Sequence, residues 1–463
     1  ALPGPANRPS VQTTNAALLP LRLTPCPHLC MLGGMKPLVF LRTCLTSVAL
    51  AAATGPTCGA TFYCDPVAGN PQGDGSAARP WGSLERLLAD RRIRITDDQG
   101  QTANPDAPVG PGDTVLLRSG WHGVIRIPSG YNAQTITLAA EPGQTPQVGW
   151  VEIGAACNWT LRGLTVSPSL APAPLEHVPK GLVTLGERAG AGSNLVVESC
   201  FIFSALDTSA WNAQEWITKP AGGIMLGRNG RGHVARDNDV LNTRFGISLC
   251  APDCVAEGNL VERFSGDGIR VTRSGQQARL NVIKNIFVSA SDGDDNHDDG
   301  IQAFPFNNMK EPVCDVTISE NVILACEDDA LPFRAPMQGI GCFDGPLVRF
   351  QVTGNVVCVN TWHGLSLYDA QGCVISNNVV YSRWSNREQP WIMLGSKKKR
   401  VQANRVTGNF AKNGFHLKVD PQVTSADNAP ATEQVYEAYR AELLARIQAR
   451  FGAMHPVSKR PRQ

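Results

Sequence analysis

Four short phrases put acidic or imidazole side chains at one recurring place in the chain. They are Gly266-Asp267-Gly268-Ile269, Asp298-Asp299-Gly300-Ile301, Asp328-Asp329-Ala330-Leu331 and Trp362-His363-Gly364-Leu365. Carboxylates gathered in this way repel, and two in close contact do not both ionise, so the group needs a bound cation or a shared proton. Hard oxygen ligands favour Ca²⁺ over a transition metal, which makes Asp267, Asp298 and Asp299 a candidate metal set. Carboxyl and imidazole groups are also the usual carriers of general acid and base chemistry. The run Asp292-Gly293-Asp294-Asp295-Asn296-His297 leads into the same place with three more acids. Asp-Gly is ordinary turn chemistry. That explains one such pair, or two, but not paired Asp in two consecutive copies beside a third.

Positioning these groups falls to a repeat. The same phrase returns as Arg244-Phe245-Gly246-Ile247 and Lys412-Asn413-Gly414-Phe415. Its Gly or Ala stands at 246, 268, 300, 330, 364 and 414, at intervals of 22, 32, 30, 34 and 50, and the last gap holds a degenerate copy near Trp391-Ile392. A second phrase precedes most copies: Gly258-Asn259-Leu260-Val261, Glu320-Asn321-Val322-Ile323, Gly354-Asn355-Val356-Val357 and Asn377-Asn378-Val379-Val380. Short apolar strands with Asn and Gly at fixed places predict an all-β solenoid, a single-stranded parallel β-helix. Rungs stack about 4.8 Å apart. Aligning the copies on their Gly or Ala therefore predicts a column Asp267, Asp299, Asp329, His363, with Phe245 before it and Asn413 after it. Asp298 and Asp328 form a second short column alongside. Asn259, Asn321, Asn355 and Asn378 are assigned to structure, satisfying turn backbone from coil to coil.

The chain of 463 residues has ample apolar content for a large core, and its 45 Gly and 33 Pro suit a chain full of turns. Net charge is +2, but the first 60 residues hold four basic groups and no acids; beyond them 38 basic face 40 acidic residues. That balance predicts no nucleic-acid partner. Met35-Lys36 and the apolar stretch from Cys44 to Ala53 predict a signal peptide over 35–60, and hence a secreted or periplasmic protein. The apolar run is too short for stable membrane insertion. Residues 1–34 read as a disordered leader or upstream translation, 61–146 as an N-terminal cap with first strands, 147–420 as the β-helix, and 421–463 as a capping helix with a basic tail. A helix over 431–451, with Val435, Tyr439, Leu443 and Ile447 four residues apart, is expected to cover the last coil. Of the ten cysteines after Ala60, Cys250 and Cys254 are the expected local disulfide, with free thiols filling the core as the alternative. Loops over 166–180, 205–220, 289–298, 305–312 and 333–346 are expected to build a binding face.

Tyr63-Cys64-Asp65-Pro66, Gly69-Asn70, Gly73-Asp74-Gly75, Pro80-Trp81 and Pro111-Gly112-Asp113-Thr114 resemble the N-terminal region of secreted right-handed parallel β-helix polysaccharide enzymes. The resemblance spans about 61–420. An Asp-Gly coil followed by an Asp-Asp-Gly coil looks like the Ca²⁺-dependent pectate lyases. It implies Ca²⁺ on Asp267, Asp298 and Asp299, binding a uronate carboxylate so that a base removes the C5 proton in β-elimination. Gln302 stands at the third acidic place of that motif. Arg334, with Lys284 behind it, is the candidate base. Arg270, Lys284, Gln302 and Trp362 are candidate substrate contacts. The order Asp-Gly, Asp-Asp, His-Gly also resembles polygalacturonases, which implies hydrolysis by Asp299, Asp328 and Asp329 with His363, the carboxyls standing about 6.5–9.5 Å apart. Pro390-Trp391-Ile392 replaces the Arg-Ile-Lys element of that family. A C5 epimerase or a passive glycan-binding β-helix remain as further readings, and Trp121, Trp211, Trp216, Trp362 and Trp384 are candidate sugar platforms. The expectation is a monomeric enzyme that cleaves an acidic polysaccharide by Ca²⁺-assisted β-elimination.

Overall fold

The computed structural model describes residues 59–187, 192–288, 297–305, 311–397, 401–418 and 423–452. The expected leader, nearly all of the signal segment, the acids Asp292, Asp294 and Asp295, and the basic tail lie outside the described residues.

Each coil of the central region carries three short strands, such as Ile269–Val271, Gln277–Arg279 and Val282–Ile286. Side chains alternate along a strand. Ile269 and Val271 point inward and are buried, while Arg270 between them points out. The next coil repeats the arrangement in parallel register, Ile269 beside Ile301 and Arg270 beside Gln302. The first strands of the coils thus give an inward column Ile247, Ile269, Ile301, Ile340, Leu365, Ile392, Phe415. The second strands give Ala256, Ala278, Ile318, Val352, Ile375, Val406. The third give Val261, Ile283, Ile323, Val357, Val380, Ala411. These three columns enclose one continuous apolar core. The chain is a right-handed parallel β-helix, as its repeat predicts. Parallel pairing begins at Thr61–Cys64 and passes through Thr114–Leu117 to Ile125–Ala140. The strands of the N-terminal segment therefore belong to the same stack as those that follow.

The recurring glycine has a steric cause. A Cβ on Gly268 would lie 2.5 Å from the Gly300 carbonyl oxygen and 2.4 Å from Ile283 Cγ2. Gly246, Gly300 and Gly339 meet the next coil's carbonyl and a third-strand side chain in the same way. Where Trp391 stands in place of glycine, the ladder slips, with a register shift between His363 and Leu365. The asparagines form the expected ladder, and it runs further than the second phrase showed. The Nδ2 groups of Asn238, Asn259, Asn281, Asn321, Asn355, Asn378 and Asn409 each donate to the Oδ1 of the next asparagine, ending at Asn428, at 2.9–3.0 Å.

Two expectations are corrected. The C-terminal helix, Glu433–Phe451, lies along the flank of the third-strand sheet and packs on Val322–Leu324, Val356–Cys358 and Val379–Tyr381 rather than over the last coil. Tyr436, Leu443, Ile447 and Phe451 face that sheet, and Arg446 and Arg450 reach Glu320 and Glu257. The reason is that the outward face of this sheet is itself apolar, with Leu260, Val322, Val356 and Val379 exposed but for the helix. Cys250 and Cys254 are free thiols, as are all ten described cysteines. Both pack in the interior, and burial pushes their thiols up to about 11 and about 12. Among the described residues no helix is long and apolar enough to cross a membrane.

Candidate functional site

The site is built on the outward side of the first-strand sheet, where successive rungs present Met225, Ser248, Arg270, Gln302, Gly341, Ser366, Met393 and His416. The column of special residues stands at the start of these strands. It reads Asp267, Asp299, Gln338, His363, because Asp299 pairs with Gln338. The Asp-Asp-Ala-Leu phrase does not form a rung. It sits in the loop between Val322–Leu324 and Gln338–Cys342, and Gln338-Gly339-Ile340 supplies the repeat instead. Asp328 closes a turn by accepting the Ala330 N–H at 2.9 Å. Asp329 is half exposed and held by Arg334 at 2.7 Å and Arg383 at 2.8 Å. Arg334 is therefore a loop residue paired with Asp329, away from the acid column. Lys284 lies on a third strand and pairs with Glu327 at 2.5 Å. The structure brings neither to the acids.

Asp267, Asp298 and Asp299 do come together. Asp267 and Asp299 are fully buried and Asp298 nearly so. Arg270 Nε donates to Asp267 Oδ2 at 2.6 Å, and Asp267 Oδ1 accepts the Asp299 N–H at 3.2 Å. Neither carboxyl oxygen of Asp299 has a hydrogen-bond partner of normal geometry among the described residues. Burial drives its pKa well above 3.8, and the charges of Asp267 and Asp298 push the same way. Arg270 and the Gln302 amide pull in the other direction and do not prevail. Burial and the two neighbouring carboxyls thus disfavour the charged form of Asp299. Gly341, one rung on, makes room for it. A Cβ there would stand 2.1 Å from Asp299 Oδ1 and 2.6 Å from Phe343 Cε2. The Phe343 ring and Asp299 are therefore both neighbours of Gly341.

His363 stands on the other side of Phe343, with ring centroids 5.0 Å apart. Its Nδ1 meets Ser366 Oγ at 2.9 Å. If Nδ1 carries the proton and donates it to Ser366, the Nε2 lone pair is left as the basic atom. Burial, and then the neighbouring His297, hold His363 below the ordinary 6.5. His297 also meets Phe343 edge-on at 6.1 Å. Beyond His363, Trp391 lies 5.6 Å away and stacks on Trp362 at 5.7 Å with an interplanar angle of 21°. Trp362 is 40% exposed. Trp216, by contrast, is buried against Trp211 and Phe287 and is part of the packing.

Before the acids, over the rungs of Met225, Ser248 and Arg270, lies a cleft of about 660 Å³. Its walls carry Lys180, Lys219, Arg228, Arg244 and Arg270 against the single acid Glu187. Of these, Arg270 alone was singled out from sequence. Lys180 and Lys219 close the loops 166–180 and 205–220, whose length was the available signal. Arg228 has no signal in the repeat, and Arg244, though it opens one copy of the recurring phrase, is brought to the same wall only by the fold.

Among the described residues the side-chain donor set for Ca²⁺ is incomplete. Among the described residues no group of three or more His, Cys, Asp or Glu is arranged to hold a metal. Asp267 already spends one oxygen on the Arg270 guanidinium and the other on a backbone N–H. The Arg270 guanidinium offsets part of the negative charge of Asp267.

No protein-family model matches the sequence, and no curated protein matches it. Among solved structures the chain is similar to a glycoside hydrolase, at 10% identity and a TM-score of 0.47, covering 83% of this chain and all of the other (100%). It is similar to the A-module of a mannuronan C-5 epimerase from Azotobacter vinelandii, at 12% identity and a TM-score of 0.43, covering 69% and 91%. It is also similar to a pectate lyase, at 13% identity and a TM-score of 0.37, covering 81% and 79%. Residue roles do not transfer at such identities.

Proposed function

We propose that this protein is a carbohydrate-active enzyme that takes an acidic polysaccharide and abstracts the C5 proton of a uronate unit, leading to β-elimination. One observation carries this reading: Asp299 is a buried acid beside two other carboxyls, without a hydrogen-bond partner of normal geometry among the described residues, and Arg270, which pairs with Asp267, lines a cleft rich in cations. The chemistry needs the uronate carboxylate to be neutralised, so that charge can spread onto its oxygens when C5 loses its proton. Protonated Asp299 supplies a hydrogen bond to that carboxylate, and Arg270 supplies positive charge. His363, neutral near pH 7, takes the proton from C5. The electron pair then forms the C4–C5 double bond while the C4–O4 bond breaks, and O4 takes up a proton as it leaves.

The test is a panel of uronate polysaccharides assayed for ultraviolet absorbance of an unsaturated product, with and without chelator. Absorbance that survives chelation is expected, with Asp299→Ala at least about a hundredfold slower. New reducing ends without absorbance would instead mean hydrolysis. Exchange of the C5 hydrogen without cleavage would mean epimerisation. Full activity in Asp299→Ala would remove the acid column from the mechanism, and loss of activity on chelation would restore the metal.

A further inference from the structure

The outward face changes character at the reaction centre. On the side of Asp299 toward the N-terminus, the cleft presents Lys180, Lys219, Arg228, Arg244 and Arg270. Arg228 is paired with Glu187 at 3.0 Å and Arg270 with Asp267 at 2.6 Å, so their guanidinium groups are fixed in place. Toward the C-terminus, the surface beside His363 is aromatic. Trp362 lies flat on Trp391, which meets His416 at 4.3 Å, and the next outward residue is Met393. The stack holds the outer ring of Trp362 rigid while leaving one face to solvent. The nearby Lys397 is engaged by Asp344 at 3.2 Å, and Lys412 lies over Tyr381 at 4.9 Å. From the rung of Met225 to that of Met393 is six steps, or about 29 Å at the usual rung spacing.

We infer that the groove has two unlike arms, an anion-reading cleft before the reaction centre and a stacking subsite on Trp362 after it. It binds one glycan chain across both and therefore acts within the chain rather than at its end. The ligand of the second arm is a pyranose ring of the same acidic chain, laid with its C–H face on the indole. Aromatic faces take such contacts without counting charge, whereas the cleft holds its ligand by screened Coulomb attraction. The location of the reacting bond between the arms rests on the function proposed above; the two arms as binding surfaces do not.

Calorimetry on Asp299→Asn, with a uronate dimer and a chain of eight or more units from whichever polymer binds, separates the two. Trp362→Ala is expected to weaken the long chain about tenfold and leave the dimer unchanged. Lys180→Ala with Arg228→Ala is expected to weaken both and flatten their salt dependence. Equal binding of the long chain with and without Trp362 overturns the stacking arm. A salt dependence unmoved by the cleft variants overturns the anionic arm. Should wild type be active, release of terminal units alone overturns internal action. Failure to cleave any polymer, with length-dependent loss on Trp362→Ala, would leave the arms standing and sink the proposed reaction instead.

Discussion

Asp299 and His363 titrate in ways that can be read separately. Catalysis as proposed needs Asp299 protonated and His363 neutral. Activity should rise with pH along a limb set by His363, below 6.5 because burial and His297 depress it. It should fall along an alkaline limb set by Asp299, whose value is raised. A pH profile of kcat/KM for Asp299→Asn is expected to keep the acid limb and lose the alkaline one. Stability carries the same signature. Below pH 3.8 the acid is protonated in both folded and unfolded chains. As pH rises past that value the unfolded chain releases its proton first, so the folded state loses stability by up to about 1.4 kcal/mol per pH unit until the raised folded pKa is passed. Urea denaturation should therefore show Asp299→Asn gaining on wild type as pH increases from about 4. A constant difference between the two would mean that Asp299 is not the buried acid described.

At the scale of the strand, the glycine before each rung is the most constrained residue of the repeat. Gly300→Ala would set a Cβ 2.4 Å from Ile323 Cγ2 and 2.9 Å from the Gly339 carbonyl. Overpacking of this kind costs about 1–3 kcal/mol, and thermal unfolding should show the loss. A neutral substitution would mean the coils can part there. The same glycine explains why Gln338-Gly339-Ile340, and not the expected Asp328-Asp329-Ala330-Leu331, forms the rung. Asp328-Asp329-Ala330-Leu331 lies in the connection that leads into the strand opened by Gln338-Gly339-Ile340, and both phrases end in an apolar residue. The acids made the first copy attractive, but only the second has the glycine that lets the backbone meet Gly364, whose carbonyl oxygen lies 2.1 Å from a Gly339 Cβ position. A register argument that weighed Gly above Asp would have placed Gln338 beneath Asp299, and left Asp328 as the turn residue it is.

Across the molecule, the helix Glu433–Phe451 seals the third-strand sheet over several coils, so its loss would expose a stripe rather than one end. Leu443→Ala is expected to cost about 2–5 kcal/mol, measured by chemical denaturation; a change below about 1 kcal/mol would mean the helix is loosely attached. The solenoid itself was legible in the chain, because a rung reports itself through local residues: the apolar pair, the glycine, the asparagine that bonds to the next asparagine. So were Asp267, Asp298 and Asp299 as one cluster, with His363 in the same column, since stacking makes place in the repeat into place in space. Tertiary structure alone decided which copy became a rung after a long loop, and that Arg270 pairs with Asp267. It also gathered Lys180, Lys219, Arg228 and Arg244 on one cleft, and laid the helix on the flank. The division has a physical cause. Interactions between equivalent positions repeat and so leave a period in the sequence, whereas contacts made by loops of unequal length occur once and leave none.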